Sequence, residues 1–388
     1  MNYWRIPLAD VDIGISEKEA VMAVLDKGWL SMGEVTQAFE QEFAAYIGVR
    51  HAFAVSNGTV ALHMACLAAE VGPGDEVIVP SLTFVATANA VAYTGATPVF
   101  ADVSSPQDLT ISPNSIAAHI TSRTKAIIVM HYGGYPCWME DILKLAERHG
   151  LTVIEDDAHA PGAELIGRRM GNWGLVGCFS FFSNKNMTTG EGGMLTTNND
   201  HIAEKLGWLR SHGMTTLTWD RHRGHAWSYD VVAPGYNYRM DEIRAALGRV
   251  QLKKLEANNS HRKELVAQYT HMLSTVIPEV EIPFIGHPGE SAYHLMVILL
   301  PAAINRVHFM EGMKIFGIQT SVHYPPVHHF SYYRKWLAEQ TRALSVTEDA
   351  ANRVVSLPLF GKMNSGDVEE VTAAIRKVLN KLSNEELR

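Results

Sequence analysis

The chain is short of the residues and patterns that mark several large protein classes. It has 3 cysteines, Cys66, Cys137 and Cys178, too scattered for a CxxC motif or a disulfide framework. Its net charge is −8 and it has no run of Lys and Arg, which argues against nucleic acid as a partner. The longest apolar stretches, such as Leu295 to Leu300, fall far short of a membrane span, so no membrane association is expected. The opening residues MNYWRIPLAD lack a basic segment followed by an apolar one, so no secretory signal is expected. Fixed-period repeats, a Walker A sequence and an HExxH pair are all missing. GEGGML supplies Gly190 and Gly192 toward a dinucleotide fingerprint but puts Leu195 where the third glycine belongs. VHHF (327–330) sets two histidines side by side, a poor chelating geometry on a regular element, so no metal is expected. These absences leave a reduced, cytoplasmic protein as the expectation.

What the chain does have is apolar surface to bury. With 388 residues, 47% hydrophobic and 19% charged, it can build a substantial core, and its length favours a large domain with a smaller one attached. Between about residues 58 and 200, helical patterns alternate with short β-rich runs. TVALHMACLAAEV, TFVATANAVAYTG (closed by Gly95) and MEDILKLAERHG read as helices. DEVIVP, TPVFADV, KAIIVMHY, LTVIEDD, GCFSFF and GGMLTT read as strands. Strands apolar on both faces and separated by helices predict a mostly parallel sheet covered on both sides. In such sheets, ligand sites form outside the carboxyl ends of the strands. A helical region from Met240 to Thr275 follows, with a break expected near Asn258–Asn259. After Pro283, AYHLMVILL and VVSLPLF read as strands, NRVHFMEGMKIFG and SGDVEEVTAAIRKVLNKL as helices. The expected organisation is α/β. A large domain spans residues 1–275, its N-terminal segment free to pack with a smaller α+β domain over 276–388.

Three stretches carry candidate chemistry. SNGTVAL (56–62) sets Asn-Gly-Thr before an apolar-periodic helix, where free N–H groups and a glycine make an anion cradle; an ordinary cap by Ser56 or Asn57 gives the same pattern. VIEDDAHA (153–160) ends a strand in Glu155, Asp156 and Asp157, with His159 close behind. A desolvated carboxylate there pairs with a cationic ligand group; the alternatives are a solvated turn or an acid at a helix N-terminus. Lys185 follows CFSFF (178–182) with no compensating acid for several residues. Most lysines snorkel at the surface, whereas a desolvated one holds more of its neutral, nucleophilic amine. The glycines of GEGGM (190–194) let backbone come close to a ligand. One ligand explains a phosphate cradle, a strand-end carboxylate and a desolvated lysine together. It is pyridoxal phosphate, which is a phosphate, a protonatable pyridine and an aldehyde in one molecule.

The ordered set SNGT, PSLTFVATANAV, EDDAHAPGA, FSFFSNKNMTTGEGGM and GYNYRM resembles the DegT/DnrJ/EryC1/StrS aminotransferases, and the resemblance runs from GWLSMG (28–33) to TSVHYPPVHHFSYY (320–333). It implies a fold-type I transferase of the aspartate-aminotransferase kind with pyridoxal 5'-phosphate as cofactor. L-glutamate would be the amino donor and a nucleotide-linked keto-sugar the acceptor, for surface polysaccharide or natural-product synthesis. TSVHYPPVHHF is similar to branches that act on 4-keto-6-deoxy sugars. The resemblance makes Lys185 the catalytic residue, which binds the aldehyde and carries the proton. Asp156 would pair with the pyridinium nitrogen, His159 would lie against the ring near its 3-hydroxyl, and Phe84 would stack on the ring face. Gly58 and Thr59 would give phosphate amides and Ser180 a hydroxyl. Asn237 would reach the phosphate from the other subunit of a homodimer, and Trp29, His323 and Tyr324 would meet the substrate. Where the family commonly has alanine this chain has Asp157; counting back three from His159 selects Asp156 for the ring. A branch resembling sugar 3-dehydratases carries histidine at the lysine position, so Lys185 points to transamination. Two other functions keep the same cofactor: amination of a keto-cyclitol, and non-catalytic regulation by a pyridoxal-phosphate-binding protein.

Overall fold

The apolar runs pair into one seven-stranded sheet in a computed structural model that describes residues 4–215, 224, 228–337 and 343–386. Its spatial order is His51–Val55, Gly193–Thr197, Val176–Ser180, Thr152–Asp156, Thr124–Met130, Glu76–Pro80, Thr97–Ala101. Gly193–Thr197 runs antiparallel to both neighbours, and the other pairings are parallel. Because side chains alternate along a strand, each strand feeds two cores. Val77 and Val79 pack with Leu62, Ile154 and Leu195 on one face, while Ile78 packs with Ile127, Ile142 and Val153 on the other. The helix Gly58–Ala68 belongs to the first core and Met139–His149 to the second, so both faces are covered. Gly150 ends the second helix with a φ of +66°, a left-handed turn that glycine takes without strain.

The long helical region has no break: Glu242–Val276 is continuous through Asn258 and Asn259. Asn weakens helices by bonding to nearby backbone. Here Asn259 donates from Nδ2 to the Pro161 carbonyl at 2.9 Å and accepts from Asn186 at 2.8 Å, so distant partners take its side chain. The helix serves two cores. Ala245, Leu252 and Leu255 pack with Phe39, Phe43, Phe179 and Phe181. Further along, Leu265, Tyr269 and Leu273 pack with Ile6, Phe309, Val355 and Ile375, around the antiparallel pair Met296–Leu299 and Val354–Leu357. Among the described residues, no helix is long and apolar enough to cross a membrane.

Two helices outside the sequence-based assignment, Ile15–Lys27 and Glu34–Ile47, precede the first strand and lie against the long helix. Glu34–Ile47 starts after Gly33, with no side-chain cap of its own. Glu242, from the first turn of the long helix, takes that place. Its carboxylate, 2% exposed, accepts from the amides of Gly33 (2.9 Å), Val35 (2.9 Å) and Thr36 (2.8 Å) and from the Thr36 hydroxyl (2.6 Å). Replacing Glu242 with alanine strands these donors in a buried place. Glu242→Ala is expected to lower the unfolding free energy by about 3 kcal/mol, read from urea denaturation as a lower midpoint at unchanged slope.

Candidate active site

A cavity of about 770 Å³ opens outside the carboxyl ends of the central strands. Thr152–Asp156 runs between Thr124–Met130 and Val176–Ser180, and its last residue, Asp156, aligns with Met130 on one side and Cys178 on the other. All three line the cavity, together with Gly58, Thr59, Phe84, His159, Ser180, Lys185, His323 and Tyr324.

One end is built for an anion. Asn57 caps Gly58–Ala68 by accepting the Val60 amide at 3.0 Å, and the Gly58 and Thr59 amides have no acceptor within the helix. A Cβ at Gly58 would lie 2.8 Å from the Ser180 Cβ and 3.2 Å from its Oγ, so glycine is what brings the helix start against that hydroxyl. Gly193 is needed one strand over, where a Cβ would meet the Asn57 carbonyl oxygen at 2.6 Å.

Lys185 stands in the loop between Val176–Ser180 and Gly193–Thr197. The Phe181 amide donates to the Gly192 carbonyl at 2.8 Å, and Asn186 donates to Asn259 and to the Ala292 carbonyl (2.6 Å), which pins the loop on both sides of the lysine. Burial lowers the Lys185 pKa to about 8, while the negative charge of Asp156 pulls it the other way. Burial raises the Asp156 carboxyl. Against that act hydrogen bonds from the Thr87 hydroxyl (2.8 Å) and the Ala158 amide (3.2 Å), and the charge of Lys185.

His159 is held neutral. Burial first, then the charge of Lys185, push its pKa well down. Its Nδ1 accepts the Gly133 amide at 3.3 Å, which assigns the ring proton to Nε2 and makes Nε2 the donor to Tyr324 Oη at 2.8 Å. Tyr324 thereby keeps its own hydroxyl proton for the cavity, and burial raises its pKa well above the usual value. His323 shares a 2.7 Å hydrogen bond with Ser356 through Nδ1, and burial together with Lys185 lowers its pKa to about 4.

Asp157 faces away from the cavity. Its Oδ2 accepts the Cys178 amide at 3.2 Å, and its Oδ1 lies 3.5 Å from His131 Nε2, with Glu155 on the same nitrogen at 3.4 Å. His131 Nδ1 accepts the Cys137 amide at 3.0 Å, so Nε2 carries the proton and points it at the two carboxyls. His131 and Glu155 thus form a hydrogen-bonded support behind Asp156, with Asp157 Oδ1 beside them and unpartnered among the described residues, and the ring offers no imidazole lone pair to a metal.

Two of the residues singled out from the sequence lie outside this cavity. Trp29 covers Gly33, its Nε1 3.5 Å from the Met32 carbonyl, and Asn237 is bridged through its backbone to Ser211. Three others join the site unannounced. Thr87 stands one helical turn after Phe84 and was legible as the polar residue on the same face. Tyr238, which lines the cavity, neighbours Asn237 in GYNYRM. His294 sits 4.3 Å ring to ring from His159 with Nδ1 on Asn186 Oδ1 at 2.8 Å, and nothing local in the sequence marks it.

Residues 11–376 match the DegT/DnrJ/EryC1/StrS aminotransferase family. The chain belongs to that family. It is 41% identical over 372 residues to the spore coat polysaccharide biosynthesis protein SpsC of Bacillus subtilis strain 168, covering 95% of each. Its fold is similar to that of Helicobacter pylori PseC, an aminotransferase involved in the biosynthesis of pseudoaminic acid, at 29% identity and a TM-score of 0.90 over 97% of this chain and 99% of that one. It is similar, too, to the PLP-form of a putative sugar aminotransferase from Streptococcus pneumoniae, at 26% identity and a TM-score of 0.88 over 97% of this chain and 99% of that one. The protein is a pyridoxal-phosphate-dependent aminotransferase with the α/β fold of those enzymes.

The cavity fits that cofactor on its own chemistry. The glycine-made cradle beside Ser180 suits a phosphate, the buried Asp156 a protonated pyridine nitrogen, and the Lys185 amine an aldehyde. Phe84, 55% exposed and 5.8 Å from the Tyr324 ring, presents an apolar face with room for a flat ligand. Capture of pyridoxal phosphate by the apo-protein needs the neutral amine, so its rate is expected to fall about tenfold per pH unit below pH 8, followed by stopped-flow absorbance. Thr87→Val keeps the shape and removes the donor to Asp156. It is expected to weaken cofactor affinity by about tenfold or more in an absorbance titration.

Proposed function

We propose that this aminotransferase moves the amino group of L-glutamate onto a nucleotide-linked keto-sugar, a 4-keto-6-deoxy sugar, for an amino-sugar of a surface polysaccharide or natural product. The proposal rests above all on Lys185 and Asp156 sharing one cavity at the carboxyl edge of the sheet. The sugar class draws support from relatives whose names carry it: a polysaccharide biosynthesis protein, an enzyme of pseudoaminic acid biosynthesis and a putative sugar aminotransferase. It also suits the hydrogen-bonding groups His323 and Tyr324 on the cavity wall, opposite a polyhydroxylated ligand.

Pyridoxal phosphate supplies an aldehyde for amine exchange and a ring that draws electrons from the carbon being deprotonated. Gly58, Thr59 and Ser180 would hold the phosphate, and Asp156 would keep the ring nitrogen protonated. Lys185 would hold the aldehyde, and its side-chain amine, once free, would carry the proton from the donor carbon and later to the acceptor carbon. A pKa of about 8 lets it both take and give that proton near neutral pH. The active unit is a homodimer in which Asn237 of a second copy reaches the phosphate. Its place outside its own cavity supports this, as do the exposed rings of Phe84, Tyr93 and Phe182 around the opening.

Holoenzyme given L-glutamate is expected to bleach its visible cofactor band and release 2-oxoglutarate. A panel of nucleotide keto-sugars and keto-inositols then reads the acceptor; turnover of the inositols alone would replace the sugar assignment with the cyclitol one. Lys185→Ala is expected to lose at least about 10²–10⁴-fold in turnover, the usual worth of a positioned acid–base group. Turnover at the wild-type rate in that variant would refute the mechanism.

A further inference from the structure

Outside the cofactor cavity, the short 3-10 turn Val327–His329 aims two imidazoles at one carboxylate. Adjacent histidines diverge on a helix or strand, but on this turn their ring centroids are 4.2 Å apart at 73°. Both Nε2 atoms face Glu348 Oε1, at 3.5 Å from His328 and 3.8 Å from His329, and the ligating atoms of the three residues lie within 4.8 Å of one another. On this short turn the two rings converge.

Two further observations point to a ligand. His328 is 1% exposed, yet its Nε2 has no hydrogen-bond partner among the described residues, an uncommon state for a buried ring nitrogen. Its other nitrogen, Nδ1, lies 2.5 Å from Ser81 Oγ, the kind of outer partner that orients metal-binding histidines. His329 and Glu348 are half exposed, so an ion can enter from solvent and complete its shell with water.

We propose that His328, His329 and Glu348 bind a divalent transition-metal ion of the zinc class through two Nε2 atoms and a carboxylate oxygen. Two imidazoles and a carboxylate with positions left for water are a donor set that zinc accepts. Tetrahedral bonds of about 2.0–2.2 Å place donors roughly 3.3–3.5 Å apart, and a small rotation of the half-exposed His329 ring closes the remaining gap. None of the three residues lines the cofactor cavity, so the ion acts as a clamp. It ties the 327–329 turn to Ser345–Arg353, which carries Glu348 in its first turn. Through Ser81 it also steadies the segment leading to Phe84 and Thr87, while His323 and Tyr324 stand a few residues before the turn.

The test uses holoenzyme stripped of metal with a chelator, desalted and titrated with zinc chloride by calorimetry, beside His329→Ala and Glu348→Ala. The expected result is one zinc per chain and a melting temperature raised by roughly 2–4 °C at saturation, with both effects lost in each variant and the cofactor absorbance unchanged. Cobalt is expected to give a visible spectrum of low coordination number that disappears in the same variants. No saturable zinc binding overturns the proposal, and so does either variant binding zinc as tightly as the wild type, since that assigns the ion to other histidines.

Discussion

A buried amine and a buried carboxylate facing the same cavity hold each other's ionisation in check. Alone, each would lose its charge to desolvation. Together, the Thr87 and Ala158 hydrogen bonds and then Lys185 keep the Asp156 carboxyl from rising as far as burial would take it, and Asp156 keeps the lysine from falling further. Coulomb interactions in a poorly solvated site change steeply with separation, so the balance holds only if neither group drifts. Asp156 is fixed as the last residue of a strand paired on both sides, and Lys185 by a loop whose neighbour Asn186 is anchored to the long helix.

Other titratable groups close by are kept quiet. His159, His294 and His323 all have lowered pKa values, first from burial and then from the positive charge of Lys185 among others, so three imidazoles near a lysine accumulate no charge. Behind Asp156, burial and the charges of Glu155 and Asp156 drive the Asp157 carboxyl well up. The extra acid at that position therefore accepts the Cys178 amide and leaves the charge seen by the cavity to Asp156.

Much of this was legible in the residues because local patterns sufficed. Apolar runs became sheet strands, Gly150 stopped its helix, and Asp156, Lys185 and the Asn-Gly-Thr turn came together because strand ends in a parallel sheet share one edge. What was illegible depended on distant partners. Asn259 stays helical because Asn186 and Pro161 take its side chain, and Glu34–Ile47 is capped by Glu242, far along the chain. His294 gains its place beside His159 only through folding, and the two adjacent histidines converge because a 3-10 turn carries them.

Ser180 and Gly193 are direct cross-strand partners, which makes the lysine-bearing segment between them the loop of a β-hairpin. The two residues at its base also border the helix start Asn57–Gly58: Ser180 by its close approach to Gly58, Gly193 by yielding room to Asn57 and Gly58. The hairpin thus works as a ruler. Its register fixes how far the reactive amine stands from the anion cradle, and a slip of one residue would turn Ser180 to the opposite face of the sheet. The closure entropy of the loop is met by strand pairing that the sheet needs anyway. The span between the two ends of a bound ligand is therefore written into the pairing of two strands, and inherits the sheet's rigidity.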